Sequence, residues 1–313
     1  IDEKVDQIVA SMSQTEKLGQ MVMIGIQGTK VDDDSLYMLN QYHMGGVILF
    51  DRNMESPEQV KQLTSDLQAQ SNEKVPLFIG IDEEGGDVVR MAEKLTPPPS
   101  QKEIGATGDI EQAKTWAIKT AKSLKDMGIN VNFAPVADVG SNDKRSYSTD
   151  ANTVIDFVRA ATKGYQQENI IYSLKHFPGI GKGKVDSHID SSSIDVAKEV
   201  LMTEDILPFK TIIDESDPND YFILVSHLKY LALDEEYPAS LSSKIMTDLL
   251  RNKLGYKGII ITDDMEMGAV ANHNDFRSIG VNAVKAGADI VLVCHEYKHQ
   301  QEVYLGLLDA VTS

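Results

Sequence analysis

Cysteine and tryptophan occur once each in 313 residues, and aromatic residues make up only 6% of the chain. No apolar run reaches the ~18 residues needed to span a bilayer, so no transmembrane segment is expected. The single thiol, Cys294, excludes an internal disulfide and any multi-cysteine metal site. It lies in Ile290-Val291-Leu292-Val293-Cys294, the setting of a buried structural thiol. Positive charge is scarce as well: 30 Lys and Arg stand against 48 Asp and Glu, for a formal net charge of -18. A surface of that sign favours solubility and argues against nucleic acid or an anionic membrane as partner. Low-complexity segments, short repeats and Ser/Gly/Pro linkers are absent. Pro97-Pro98-Pro99 is the one proline cluster and reads as a loop. A split into domains therefore has no support, and one domain over residues 1–313 is expected.

What the chain does have is order in its apolar runs. Candidate strands are Met21–Ile26, Gly46–Phe50, Leu77–Asp82, Val131–Pro135, Ile170–His176, Tyr221–His227, Gly258–Asp263 and Asp289–Cys294. Most are short, continuous and rich in Ile and Val, as strands covered on both faces of a parallel sheet are. Helical patterns lie between most of them, among them Pro57–Ser71, Ile110–Met127, Asn152–Glu168 and Ser242–Leu254. Ser242 is placed to cap the last of these, and Gly255 to end it. Eight strands alternating with helices over about 300 residues suggest an α/β fold, a (β/α)8 TIM barrel, for which ~250 residues is typical. A doubly wound open sheet is the structural alternative.

In a barrel the site lies at the C-terminal ends of the strands. Those ends carry Asp82, Asp138 just beyond the fourth strand, Lys175 and His176, His227, and Asp263 with Asp264. Asp264 reads as a cap or a support for its neighbour. The richest stretch follows the fifth strand: Lys175-His176-Phe177-Pro178-Gly179-Ile180-Gly181-Lys182-Gly183-Lys184-Val185-Asp186-Ser187-His188. Asp-x-His orients an imidazole and raises its basicity, and the glycines free the loop that carries it. A glycosidase needs two groups flanking the scissile bond. Asp263 on a rigid strand end suits a nucleophile, and His188 with Asp186 suits a general acid/base. Lys175, His176, Asp82, Arg90 and Arg145 would grip sugar hydroxyls. Metal-dependent hydrolysis is the rival chemistry for such a barrel. The first strand, Met23-Ile24-Gly25-Ile26, has no histidine and the chain has no His-x-His pair, so neither metal nor cofactor is expected. Gly179-Ile180-Gly181-Lys182-Gly183 lacks the Gly-Lys-Ser/Thr ending of a phosphate-cradling loop.

Lys175-His176-Phe177-Pro178-Gly179 with Asp186-Ser187-His188 resembles the catalytic loop of glycoside hydrolase family 3, in its single-domain β-N-acetylglucosaminidase (β-N-acetylhexosaminidase) branch. Further blocks follow in that family's order: Ile81-Asp82-Glu83-Glu84-Gly85-Gly86 with Arg90, Asn132-Phe133-Ala134-Pro135 with Asp138, Arg145-Ser146-Tyr147, Pro238-Ala239-Ser240-Leu241-Ser242, Ile261-Thr262-Asp263-Asp264-Met265, and Ala286-Gly287-Ala288-Asp289. The resemblance implies a retaining exo-hydrolase of terminal β-linked N-acetylglucosamine, with peptidoglycan fragments as its source. Asp263 would form the glycosyl-enzyme intermediate, His188 with Asp186 would move protons, and Asp82, Arg90, Arg145, Lys175 and His176 would hold the sugar. Many relatives acting on glucosides take a carboxylate acid/base from a following domain; here the loop histidine would serve. The chain departs from the family at Ile180, Lys182 and Gly183, where His, Asp and Thr are usual, and at Asp87 for Arg and Glu83 for Gln.

A phosphorylase, assisted by Lys182 and Lys184, a β-glucosidase or β-xylosidase, and a sugar- or muropeptide-binding protein with little turnover are the alternatives on the same scaffold. The expected partner is a small carbohydrate or muropeptide, and the chain is expected to be a monomer. It starts at Ile1 rather than Met, which tilts the expectation toward an exported, lipid-anchored protein over a cytoplasmic one.

Overall fold

A computed structural model describes residues 2–140, 144–183 and 193–313. Its centre is a ring of eight parallel strands: β1 (Val22–Gly25), β2 (Gly46–Leu49), β3 (Phe78–Ile81), β4 (Val131–Asn132), β5 (Ile171–Phe177), β6 (Tyr221–Val225), β7 (Ile259–Thr262) and β8 (Val291–Val293). Neighbours in the ring are neighbours in sequence, and β8 returns to pair with β1. The last gap, between β7 and β8, is closed by the Ile261–Ile290 bridge, with Thr262 N–H donating to Ile290 O and Ile290 N–H to Ile260 O. The open sheet is thereby set aside in favour of the (β/α)8 barrel.

Alternation along each strand separates two cores. Met23, Ile48, Val131, Phe133, Phe222, Leu224, Ile261 and Leu292 point inward and fill the barrel. Val22, Ile24, Val47, Leu49, Ile79, Ile81, Val291 and Val293 point outward beneath the helices. This double burial is why the strands read as unbroken apolar runs. Helix starts follow local chemistry. Ser56 Oγ accepts from Gln59 N–H at 3.1 Å with Pro57 at the first position of helix Pro57–Ala69, and Asp150 accepts from Thr153 N–H at 2.9 Å at the head of Ala151–Gln167.

Two elements differ from expectation. The fourth strand narrows to two residues because Pro135 has no N–H to donate, although pairing resumes at the Val136–Lys175 bridge. Ser242 does cap its helix, accepting from Ile245 N–H at 3.1 Å, but Lys244–Lys253 is wound as a π-helix. It ends before Gly255, whose φ of +73° favours glycine. A short parallel pair, Ser193–Ile194 with Lys229–Tyr230, was not anticipated. Among the described residues no helix is long and apolar enough to cross a membrane.

Candidate active site

The C-terminal strand ends open on a cavity of about 230 Å³. Asp82, Arg90, Arg145, Lys175, His176 and Asp263 all line it, together with Asp264, Met267, Phe50 and His295. Thus six of the residues expected at the site meet around one cavity. Asp186 and His188 lie outside the described residues.

The polar wall is one connected set of charges. Lys175 Nζ stands 3.1 Å from Asp82 Oδ1 and 2.8 Å from Glu84 Oε2. Glu84 also receives a two-pronged guanidinium, Arg145 Nε at 2.7 Å and Nη2 at 3.0 Å. Arg90 Nη2 donates to Asp82 Oδ2 at 3.3 Å. His176 is fixed from both its main chain and its ring: its N–H donates to Asp138 Oδ1 at 3.0 Å, and its Nδ1 donates to Asp138 Oδ2 at 2.8 Å. Asp138 Oδ1 also accepts from Ile180 N–H at 3.0 Å, so one buried carboxylate ties the end of β5 to the loop that follows it.

Burial raises a carboxyl pKa and lowers an ammonium pKa; opposite charges do the reverse. For Glu84 burial pushes upward, but Lys175 and Arg145 outweigh it and hold the group at about 2. Burial pushes Lys175 down, and Glu84 and Asp82 more than offset it, so its charge is secure. Asp263 is likewise pushed up by burial, then brought below the ordinary carboxylate range by His176, His227, the Asp264 amide and Lys175. Its Oδ1 accepts that amide at 2.9 Å. An ionised carboxylate on a rigid strand end, in a pocket walled by cations, is equipped to attack an electron-poor carbon or to stabilise positive charge there.

The departures from the family pattern fall in three settings. Asp87 is exposed and pairs loosely with Lys144 at 3.7 Å. Glu83 is buried: its Oε1 accepts from Arg90 N–H at 2.7 Å, while Asn132 bonds its main chain on both sides. Burial pushes the Glu83 carboxyl up to about 7. Lys182, a candidate assistant to phosphate, is instead held by Asp205 at 2.7 Å and Glu204 at 2.9 Å. Lys184 lies outside the described residues.

Sequence reasoning passed over Glu84, whose signal was available: a third acidic residue after β3, directly before a Gly-Gly turn. It also passed over the rim. Phe50 packs against the His295 ring with centroids 5.0 Å apart, and Arg52 and Arg90 lie over its face. The expectation of no metal overlooked one motif, His295-Glu296-Tyr297-Lys298-His299, which has the His-Glu-x-x-His spacing of zinc hydrolases. That motif needs a continuous helix to bring both imidazoles to one face. Here the helix begins at Tyr297, leaving His295 on the pocket rim, where Arg52 donates to its Nδ1, while His299 Nδ1 pairs with Glu266 at 2.7 Å.

Fold and site together define a parallel (β/α)8 barrel whose seventh strand ends in a carboxylate that shares a pocket with Arg90, Arg145 and Lys175. The glycosyl hydrolase family 3 N-terminal domain matches residues 13–313, and the chain belongs to that family. It is 37% identical over 281 residues to beta-hexosaminidase A of Pseudoalteromonas piscicida, covering 82% of this chain and 46% of that protein. It is 31% identical over 297 residues to the beta-hexosaminidase of Nitrosomonas eutropha, covering 91% and 84%. The structure of a family 3 beta-N-acetylglucosaminidase from a Paenibacillus species superposes with a TM-score of 0.93 at 36% identity, over 96% of this chain and 59% of that one. The chain thus spans about half the length of the first of these relatives and most of the second.

Proposed function

We propose that this chain is a retaining exo-β-N-acetylglucosaminidase, that it removes terminal non-reducing β-linked N-acetylglucosamine from peptidoglycan fragments, and that residues 1–313 work as one barrel domain. The observation that carries the reading is Asp263: a carboxylate held ionised on a strand end, across the pocket from Asp82, Arg90, Arg145 and Lys175. Family membership and the hexosaminidase names of its relatives support the sugar. The Asp263 carboxylate attacks the anomeric carbon as the bond to the leaving oxygen breaks, and that oxygen takes a proton from His188. His188 then accepts a proton from water as the water displaces Asp263, so two inversions leave the configuration retained. Asp186 orients His188 and stabilises its protonated form. The assignment of these last two residues rests on the resemblance of the loop.

Chromogenic β-glycosides of N-acetylglucosamine, glucose and xylose test the reading directly. The N-acetylglucosaminide should be cleaved fastest, with the β-anomer as first product by proton NMR. His188→Ala should lower kcat by ~10²-fold or more. Preference for glucose or xylose would move the assignment to a glucosidase or xylosidase. Sugar 1-phosphate formed in phosphate buffer would indicate phosphorolysis, and calorimetric binding without turnover a sugar-binding protein.

A further inference from the structure

The turn after β5, residues 179–183, carries Ile180, Lys182 and Gly183, three of the departures from the family pattern. It is wedged between the segment after β4 and the π-helix Leu201–Asp205. A Cβ on Gly181 would collide with the Val139 carbonyl oxygen, and one on Gly179 would meet Asp205 Cβ at 3.0 Å. Within the turn Gly183 N–H donates to Ile180 O at 2.9 Å, and the Tyr230 hydroxyl donates to Gly179 O at 2.8 Å. Ile180 N–H reaches Asp138 Oδ1, the oxygen that also receives the His176 amide, while Asp138 Oδ2 takes His176 Nδ1–H. The turn thus shares one carboxylate with a side chain of the pocket wall.

The seat of the turn is acidic. Asp205 has a side chain only 1% exposed, and its Oδ2 accepts from Lys182 Nζ at 2.7 Å. Its Oδ1 is buried with no hydrogen-bond partner among the described residues. Lys182 Nζ also donates to Glu204 Oε2 at 2.9 Å. Burial pushes the Asp205 carboxyl up, helped by Glu204 and Asp138 and opposed by Lys182. Burial pushes Lys182 down, but its bonds to Asp205 and Glu204 outweigh that, so the ammonium stays charged. An aspartate, usual in the family at this position, would face both carboxylates with like charge. Lys182 itself does not line the cavity.

Resting on the glycosidase reading above, we propose that Lys182 is a positioning residue: its bonds to Asp205 and Glu204 clamp the turn to the barrel, the Ile180 amide then seats Asp138, and Asp138 holds the His176 ring toward the sugar. Each link is a hydrogen bond of ordinary length. Without the clamp the Ile180 amide leaves Asp138 Oδ1, and the carboxylate is free to turn away from His176 Nδ1. The effect therefore reaches the pocket through one ring.

The test is a double-mutant cycle on kcat/KM for the chromogenic N-acetylglucosaminide, with Lys182→Met made in wild type and in His176→Ala. Lys182→Met should lower kcat/KM about tenfold in wild type and less than about twofold in His176→Ala. Lys182→Arg, which keeps the charge, should stay near wild type, and Lys182→Asp should fall below Lys182→Met. Lys182→Met leaves Asp205 buried without its cation, so the pair Lys182→Met/Asp205→Asn is made as well. It should melt closer to wild type and still show the loss, because the clamp is absent from it too. Equal losses in the two backgrounds would overturn the proposal, and so would wild-type kcat/KM in the Lys182→Met/Asp205→Asn pair. A second arm needs no substrate: hydrogen exchange at the Ile180 amide, read by NMR, should quicken about tenfold or more in Lys182→Met while the β4 and β5 amides hold. Unchanged exchange at Ile180 would also overturn it. A wild-type protein that cleaves no glycoside, with Ile180 exchange responding as stated, sinks the glycosidase reading alone.

Discussion

Taking the charge off Glu84 would remove the buried anion that Lys175 and Arg145 share. Breaking a buried ion pair from one side costs on the order of 3–5 kcal/mol. Glu84→Gln should therefore lower the urea midpoint strongly and raise KM for the sugar, because Lys175 and Arg145 lose their anchor. A variant with wild-type stability would contradict the geometry. Glu83 predicts the opposite sign. Its folded pKa, about 7, stands above the ordinary ~4.3 of an unfolded Glu. Between those values the folded chain keeps a proton that the unfolded chain has released, so stability falls as pH rises from about 4 to about 7. Glu83→Gln keeps an acceptor for the Arg90 amide and removes the charge, so it should flatten that slope and melt above wild type at pH 8. Residues at strand ends, Asp82, Lys175, His176 and Asp263, were legible from the sequence because a polar residue closing an apolar run has no packing reason to be there. Glu84 stood out only as a third acidic residue before a Gly-Gly turn; its role depends on partners 61 and 91 residues away that the closed ring brings to it.

At the scale of elements, the segment bearing Arg145 is held by helix Gln101–Ala106. A Cβ on Gly105 would meet the Tyr147 carbonyl at 1.9 Å, which the backbone cannot accommodate without moving. Gly105→Ala should thus cost ~1–3 kcal/mol and raise KM through a displaced Arg145, readable in denaturation curves and steady-state kinetics. Wild-type KM would show that this helix does not position Arg145. Each of the eight strands was readable as an apolar run, since both faces of β1 or β7 are covered. Their ends were less so: β4 stops at Asn132, short of the expected Pro135, and Phe177 carries β5 one residue past the expected His176. The π-winding of Lys244–Lys253 left no mark in the sequence, because its apolar positions Ile245, Met246, Leu249 and Leu250 also fit an ordinary amphipathic helix.

Across the whole molecule, 18 excess negative charges repel one another and oppose compactness. Raising salt from about 0.01 M to about 0.15 M shortens the Debye length from ~30 Å to ~8 Å. Thermal stability should rise over that range, and a fall would show that attractive pairs dominate the surface. The barrel itself, with its closing Ile261–Ile290 bridge, does for the site what no single loop could: it brings Asp263 into one pocket with cations from β5 and from the segments after β3 and β4. The most direct test of the account is the kcat of Asp263→Asn on a chromogenic β-N-acetylglucosaminide, with the fold verified by its melting curve. On the proposal that Asp263 attacks the anomeric carbon, its replacement should lower kcat on the order of 10³-fold or more. A folded Asp263→Asn protein that turns over at the wild-type rate would contradict it.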